Sequence, residues 1–515
     1  MHKIPLTLLL LCLLFVSATP LKRSTLLNSL HPLSLCEHLA FYRLYADTNE
    51  GQTAYKKTLL LLQCHLSHPE RIPSHSLYSL LNIFSPNPED STPILEKDVL
   101  QSVKRLREPL AHHRLQGHEI TSEEELFSLS EQEIDIARAV LVAQGNLNLE
   151  QIESYEAVLD LMALQILARL PLSATAAQII TTINHFLFQE MEFQFPSLSK
   201  FEKEIDRFTF LGPVMDARRG VCLGISILYL ALAQRLGLSL EIITPPGHIY
   251  LRFKDMGSQI NIETTARGIH VDDSFYLNIN TRSLPIRTLK EVVGLAYFNR
   301  SSIYWEKKEF ENCLNCYKQA EKYMGEDHQL QELIALSSIL VGKEEEGREI
   351  LQKLMSQTPV HLVAKDLLTA EYLEGKISKE GLALLLSPCE ELRARLCERE
   401  EQLRQLSQTH PLCCTLYLQQ ATTLLKLGRQ GEALEVLKRY HTLDPNCPMV
   451  EYLMTQLCIE RFNFPKAWEH LNKCEMLTGI RGHHPKALKQ LHRVLTLFCP
   501  PSTLSSTCPR SVCSE

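Results

Sequence analysis

Arg218-Arg219-Gly220-Val221-Cys222-Leu223-Gly224-Ile225-Ser226-Ile227-Leu228-Tyr229-Leu230-Ala231-Leu232-Ala233-Gln234-Arg235-Leu236-Gly237-Leu238 is the stretch on which the reading of this chain turns. It is polar up to Gly220, almost continuously apolar from Val221 to Leu236, and stops at Gly237. An apolar run of that kind, without alternation, predicts a helix buried all round and closed by the glycine. One reactive residue, Cys222, falls in its first turn. A thiolate there is favoured by the positive end of the helix dipole and by backbone N–H groups that lack a partner inside the helix.

Beyond this helix the period changes to two. Leu240-Glu241-Ile242-Ile243, His248 to Phe253 and Gln259 to Thr265 alternate as strands do. Lys254-Asp255-Met256-Gly257-Ser258, between the last two, has the composition of a tight turn. A two-residue turn at Asp255-Met256 sets His248 directly opposite Glu263, with both side chains on one face. A nucleophilic cysteine needs a base, and the base needs a third group to hold it. Cys222, His248 and Glu263 are therefore the candidate catalytic residues. Taken singly each has a plainer reading: a small buried hydrophobe, a satisfied core histidine, an exposed strand glutamate. Only the set points to a site.

These stretches resemble the SirB-type branch of the transglutaminase-like superfamily. Residues 218–238 are similar to its nucleophile helix. Pro246-Gly247-His248 with Tyr250-Leu251-Arg252 is similar to its Pro-Gly-His strand, and Asn261-Ile262-Glu263-Thr264-Thr265 with Gly268 to its acidic strand. Upstream, Glu133-Ile134-Asp135-Ile136-Ala137-Arg138-Ala139 and Asn184-His185-Phe186-Leu187-Phe188 resemble its helical lead-in, so the resemblance covers residues 131–275. It implies a papain-like core in which Cys222 is the nucleophile, His248 the general base and Glu263 the group that orients the imidazole. It also implies chemistry on amide bonds through a thioester, ending in hydrolysis, deamidation or transfer to an amine. Many members of the branch lack the cysteine; this chain has it.

From about residue 294 the chain is helical and repeats with a period of about 34 residues, that of the tetratricopeptide (TPR) repeat. Tyr304, Cys313, Tyr317 and Ala320 take the aromatic and small positions, followed by Ser338, Gly347, Leu351, Leu354 and Pro359. A second pair begins near Cys414, with Leu424, Gly428, Ala433, Leu437 and Pro445, then Cys458, Ala467, Leu471 and Cys474. Small residues let paired helices approach and large ones fill the groove between them. Residues 362–413 are expected to be a degenerate stretch with one charged helix from Glu390 to Gln405. Cys313-x-x-Cys316 lies within a repeat helix, which favours packing over redox chemistry. The charge run Lys343 to Arg348 reads as a repeat's exposed face.

The N-terminus carries a different signal. His2 and Lys3 precede an apolar run from Ile4 to Val16, and Val16-Ser17-Ala18 fits a cleavage site, so residues 1–18 are expected to be a secretory signal peptide. The alternative is an uncleaved membrane anchor. Export places the chain in the periplasm or outside the cell, where some of its 16 cysteines can pair. A helical region over residues 19–120, interrupted by loops such as Ser85-Pro86-Asn87-Pro88, has no chemical signature. Ser122 and Glu125 form a capping box for a helix running to Gly145-Asn146. The net charge of −7, with no long basic run, argues against a nucleic-acid partner. No cofactor motif appears, and the clusters His112-His113 with His118 and His483-His484 with His492 lack the spacing of a metal site.

The expected fold class is mostly α with a small α+β core: a transglutaminase-like domain at residues 121–290, a TPR-type array at 291–498 and a flexible tail at 499–515. The expected function is that of an exported cysteine protease or transglutaminase-like amidase, a hydrolase or acyl transferase acting on a protein partner held in the TPR groove. The alternative is a catalytically silent scaffold that works through the array alone.

Overall fold

A computed structural model describes residues 22–62, 94–196 and 208–500, apart from positions 256, 357, 366, 388, 390 and 391. The expected signal peptide, the Ser85–Pro88 loop and the tail beyond Pro500 lie outside the described residues. No helix among the described residues is long and apolar enough to cross a membrane. The described residues fall into two compact units: residues up to 114 with 148–191 and 234–238, and residues 115–147, 192–233 and 239 onward.

The first unit is helical. Its longest helix, Leu149–Leu167, starts at an Asn148–Gln151 capping box and is buried along almost its whole length. It packs on helices Lys97–Leu106 and Asn49–Leu62, so this part of the expected core clusters with the N-terminal helices. Asp160, buried among these helices, stands 2.7 Å from Arg235 Nε and 3.2 Å from His112 Nε2. Burial opposes its charge, but the Arg235 guanidinium and His112 together outweigh that and hold the carboxyl below its usual range.

The second unit holds the sheet, the start of the Cys222 helix and the array. The helix expected to run on from Ser122 is broken in two. Glu123–Ser128 ends at an extended Leu129, and Ile136–Ala143 restarts where Asp135 accepts the amides of Ala137 and Arg138. A second capping box, Ser130 with Glu133, fills the gap. The successive N-terminal caps at Ser122, Ser130 and Asp135 outcompete one continuous apolar stripe.

Helix Cys222–Arg235 is buried from Leu223 to Ala233, and Gly237 behind it takes a φ of +70°. Gly224 has no room for a side chain, since a Cβ there would collide with the Phe208 carbonyl oxygen. The sheet is antiparallel in the order β3-β2-β1-β4, with β1 Glu241–Ile243, β2 Tyr250–Asp255, β3 Ser258–Ile262 and β4 Ile286–Arg287. The two-residue strand β4 pairs with β1 at Ile242↔Arg287 and was not legible by alternation.

The array runs from Leu289–Glu306 to Lys486–Phe498 as successive antiparallel helix pairs. The small residues sit where helices touch. Ala320, Ala335, Ala421, Ala433 and Ala467 are fully buried, and a Cβ on Gly347 would stand 2.6 Å from Ala335 O. Residues 362–413 are more regular than expected. They contain helices Leu368–Leu373, Lys379–Leu386 and Arg393–Thr409, whose apolar faces join one cluster with Leu336, Ile339 and Leu351.

The segment after the sheet's third strand is laced into this array. Thr281 bridges Leu362, Arg282 N donates to His361 O at 2.9 Å, and Val363 N donates to Asn280 O at 2.8 Å. Ile279 is buried among Cys458, Trp468 and Leu471.

Candidate active site

Three local structures carry the expected residues. Cys222 is the first residue of its helix and half-buried. The loop before it is pinned, because Gln194 N donates to Arg218 O at 3.1 Å and Gly220 N to Gln194 O at 3.2 Å. Val221 N adds a bond to Phe208 O at 3.1 Å. His248 closes the Pro245-Pro246-Gly247 turn, its amide donating to Pro245 O at 3.0 Å, and Gly247 takes a φ of +70° that suits a residue without a Cβ. Glu263 follows β3. Its own amide donates to Ile269 O at 3.0 Å, and Gly268 N returns to Glu263 O at 2.8 Å. A Ser226–Thr264 hydroxyl bond of 3.0 Å ties the Cys222 helix to this loop.

The three side chains meet. His248 Nε2 lies 2.7 Å from Glu263 Oε2, and Cys222 is close enough to act on the charge of the same imidazole. Burial works against a charged imidazole, yet the bonds to Cys222 and Glu263 overcome it and push His248 up to about 9. Glu263 is buried as well, which alone would raise its pKa. Bonds from His248, Thr265 and Tyr276 reverse this and keep it an anion. The Thr265 hydroxyl donates to Oε1 at 2.6 Å, and its amide donates to the same oxygen at 3.2 Å.

The hairpin register differs from the expected one. Leu251 faces Ile262, Arg252 faces Asn261 and Asp255 faces Ser258, so β2 and β3 are shifted by two against the His248↔Glu263 pairing. A shift of two keeps every side chain on its face. His248 and Glu263 are therefore diagonal neighbours beyond the ends of the ladder, within reach of two long side chains. The turn composition left the register open and face alternation did not.

Two residues of the site escaped sequence reasoning. Tyr276 donates its hydroxyl to Glu263 Oε2 and stacks on His248, with ring centroids 5.6 Å apart at 20°. Asp273, three residues earlier, accepts from Tyr250 Oη, Arg252 and Asn261 and holds the turn on β2 and β3. The only available signal was Asp272-Asp273-Ser274, an Asx cap in which Asp272 accepts the Ser274 amide at 2.9 Å.

Cys222 and His248 line a cavity of about 850 Å³ that is also lined by Asn280, His328 and Lys365 and by Gln419 and Met449 of the array helices. Several other groups singled out in the sequence are engaged in structural contacts. Cys313 donates to Ser301 O at 3.5 Å and burial pushes its thiol up to about 12. Cys413 donates to the buried Glu371 carboxylate at 3.2 Å and is likewise raised to about 12. His118 lies 3.4 Å from Asp135, which also caps a helix, while His483 reaches Asn278 O at 2.7 Å and His492 reaches Glu475 at 3.1 Å. Within the array a ligand-like set was not foreseen: donor atoms of His441, Glu451 and His470 lie within 4.8 Å of one another. Lys473 Nζ, 3.2 Å from Glu451 Oε1, already supplies the positive charge there.

A family model of the transglutaminase-like superfamily matches residues 153–282, across Cys222, His248 and Glu263. The chain contains a transglutaminase-like domain. A tetratricopeptide-repeat model matches residues 295–323 directly behind that domain. No curated protein matches the sequence. Among solved structures, a thermophilic TPR protein of Thermus thermophilus is 16% identical over 40% of this chain and 100% of its own, with a TM-score of 0.21. MamA of strain MSR-1 is 16% identical over 36% of this chain and 95% of its own, at 0.18. The TPR2AB domain of yeast Sti1, solved in a pHSP90 complex, is 17% identical over 39% and 85%, at 0.20. At these TM-scores the likeness carries no weight for the fold.

Proposed function

We propose that this transglutaminase-like protein is a cysteine-dependent amidase or acyl transferase acting on a peptide segment of a protein partner held by the TPR repeats. The observation that carries the reading is the setting of His248, 2.7 Å from the buried Glu263 carboxylate and raised to about 9 against its burial by its interactions with Cys222 and Glu263. In this reading His248, oriented by Glu263, takes the thiol proton as general base and leaves sulfur as the nucleophile. The sulfur attacks the amide carbon, a C–S bond forms, and the developing oxyanion faces first-turn amides of the Cys222 helix, which have no intrahelical partner. Collapse breaks the C–N bond, and the amine departs with the proton held on His248. Water or a second amine then attacks the thioester, gives its proton to His248 and releases the sulfur.

The cavity lined by Cys222, His248 and residues of the array supports a peptide donor, because an extended segment fills such a cleft and a compact surface does not. Affiliation with the SirB-type branch rests on residues 218–238, 246–252 and 261–268. Export rests on residues 1–18, with periplasmic or extracellular residence as its consequence.

Iodoacetamide at pH 6, with modified peptides quantified by mass spectrometry, tests the chemistry on the intact protein. Cys222 reacts at least about tenfold faster than the exposed free thiol of Cys397. Equal rates for the two thiols remove the enzyme reading and leave the scaffold.

A further inference from the structure

The Glu263 carboxylate is bonded at both oxygens by groups that leave it no freedom to turn. Oε1 takes the Thr265 hydroxyl and amide, and Oε2 takes His248 and the Tyr276 hydroxyl. Tyr276 is the unusual member of this set, because it touches both partners of the pair. Its hydroxyl meets the same oxygen as the imidazole, and its ring lies against the imidazole face at 20°. The far side of the Tyr276 ring is not open either, since Tyr250 stacks with it at 4.8 Å and 15°.

The support behind Tyr276 is equally specific. The tyrosine follows the short turn Asp273–Phe275, and its amide donates to Asp273 O at 3.0 Å. Asp273 in turn receives Arg252 Nη2 at 2.7 Å, Tyr250 Oη at 2.7 Å and Asn261 Nδ2 at 2.6 Å. Tyr276 is thus anchored to the same two strands that lead into His248 and Glu263. Burial and the neighbouring Glu263 carboxylate raise its phenol well above the usual range, so it remains a donor at any working pH.

We infer that Tyr276 is a positioning residue of the Cys222–His248–Glu263 site, one that clamps the imidazole by stacking and moderates the hold of Glu263 on it by sharing Oε2. This rests on the cysteine-enzyme reading above. The sharing has a definite sign. The phenol O–H directs positive charge at Oε2, so part of the carboxylate's charge is spent on tyrosine and not on the imidazolium. Without that hydroxyl, Glu263 holds the imidazolium proton more strongly and His248 stays charged to higher pH. The groups facing His248 are Cys222 from its helix, Glu263 after β3 and Tyr276, with Tyr250, Arg252 and Asp273 behind the tyrosine.

The rate of Cys222 alkylation by iodoacetamide, followed from pH 5 to 10 in the full-length protein, reads the pair directly. Tyr276→Phe keeps the stack and removes the hydroxyl. It is expected to move the alkaline change in rate, where the imidazolium is lost, up by about half a unit to one unit. Tyr276→Ala removes both contacts and is expected to lower the rate at pH 6 by about tenfold. In a Glu263→Gln background, Tyr276→Phe is expected to change nothing further, because its effect runs through the carboxylate. A Tyr276→Phe profile that overlays the wild type, or a shift that persists with Glu263→Gln, overturns the inference while leaving the enzyme reading intact. A wild-type Cys222 no faster than Cys397 at pH 6 overturns both.

Discussion

Among the described residues, two regions bring a cysteine, a histidine and a glutamate together, and in the function proposed above they part ways. In the transglutaminase-like domain His248 stands between the Cys222 thiol and the Glu263 carboxylate, 2.7 Å from the latter, and the pair borders a cavity. In the array His470 Nδ1 lies 2.7 Å from Glu451, whose carboxylate is fully buried, and Cys474 is on the same helix as His470. Here the sulfur turns away. Cys474 donates to Pro448 O at 3.2 Å, and burial, with Glu451 adding to it, pushes the thiol up to about 12. The Glu451 charge is answered by His441, His470 and Lys473. The same residue types therefore yield a helix-to-helix staple in one region and, in the function proposed above, a reactive triad in the other. What separates them is the placement of the thiol across the imidazole and an open side, not composition.

Each side of this comparison can be broken separately. The largest effect belongs to Cys222→Ala, expected to lower turnover of a peptide amide by about 10³-fold or more, while Cys474→Ala stays within about twofold; steady-state rates check both. Next is Glu451→Ala. Removing the carboxylate leaves Lys473, His441 and the buried His470 without their shared partner and is expected to cost about 3 kcal/mol in urea unfolding, with Cys222 alkylation in the folded protein unchanged. Glu263→Gln does the reverse. It is expected to slow Cys222 alkylation at pH 6 by about 10²-fold through loss of the imidazole's orientation, with stability altered by only about 1 kcal/mol.

The smallest effect is in stability against pH. Hydrogen bonds to Cys222 and Glu263, acting against burial, raise His248 from 6.5 to about 9, so the folded state binds its proton more tightly than the unfolded chain. That stabilisation is complete below the unfolded value of about 6.5 and is lost as pH rises through about 9. His248→Gln is expected to flatten the fall in urea midpoint between those limits. An unchanged slope would mean that the pair does not hold the proton.

The sequence carried the site further than the local structure around it. Cys222, His248 and Glu263 were legible because a helix start, a Pro-Gly turn and a strand end each announce themselves through residue type, and face alternation survives a register error of two. The register itself was not legible, since Asp255, Met256, Gly257 and Ser258 leave more than one turn open. Tyr276 was hidden for another reason. Its partners lie 13 and 28 positions back along the chain, and nothing in a short window distinguishes it from any aromatic in a loop. In the array the period exposed the paired helices near Cys313 and Cys414. The charged helix Arg393–Thr409 was expected from its composition, whereas Leu368–Leu373 and Lys379–Leu386 escaped the period because their spacing follows packing on Leu336 and Leu351, not the repeat.

The lacing of residues 278–282 to 361–364 bears on how such a chain can be taken apart. His483 reaches the same strap at Asn278 O, 2.7 Å away, from near the far end of the array. A cut placed after residue 290, at the start of the first repeat helix, leaves Asn280 and Thr281 without their partners a short way along the chain from Tyr276. The repeats are thus not an exchangeable module: grafting in another array would remove the backbone partners that fix the strap a few residues beyond Tyr276.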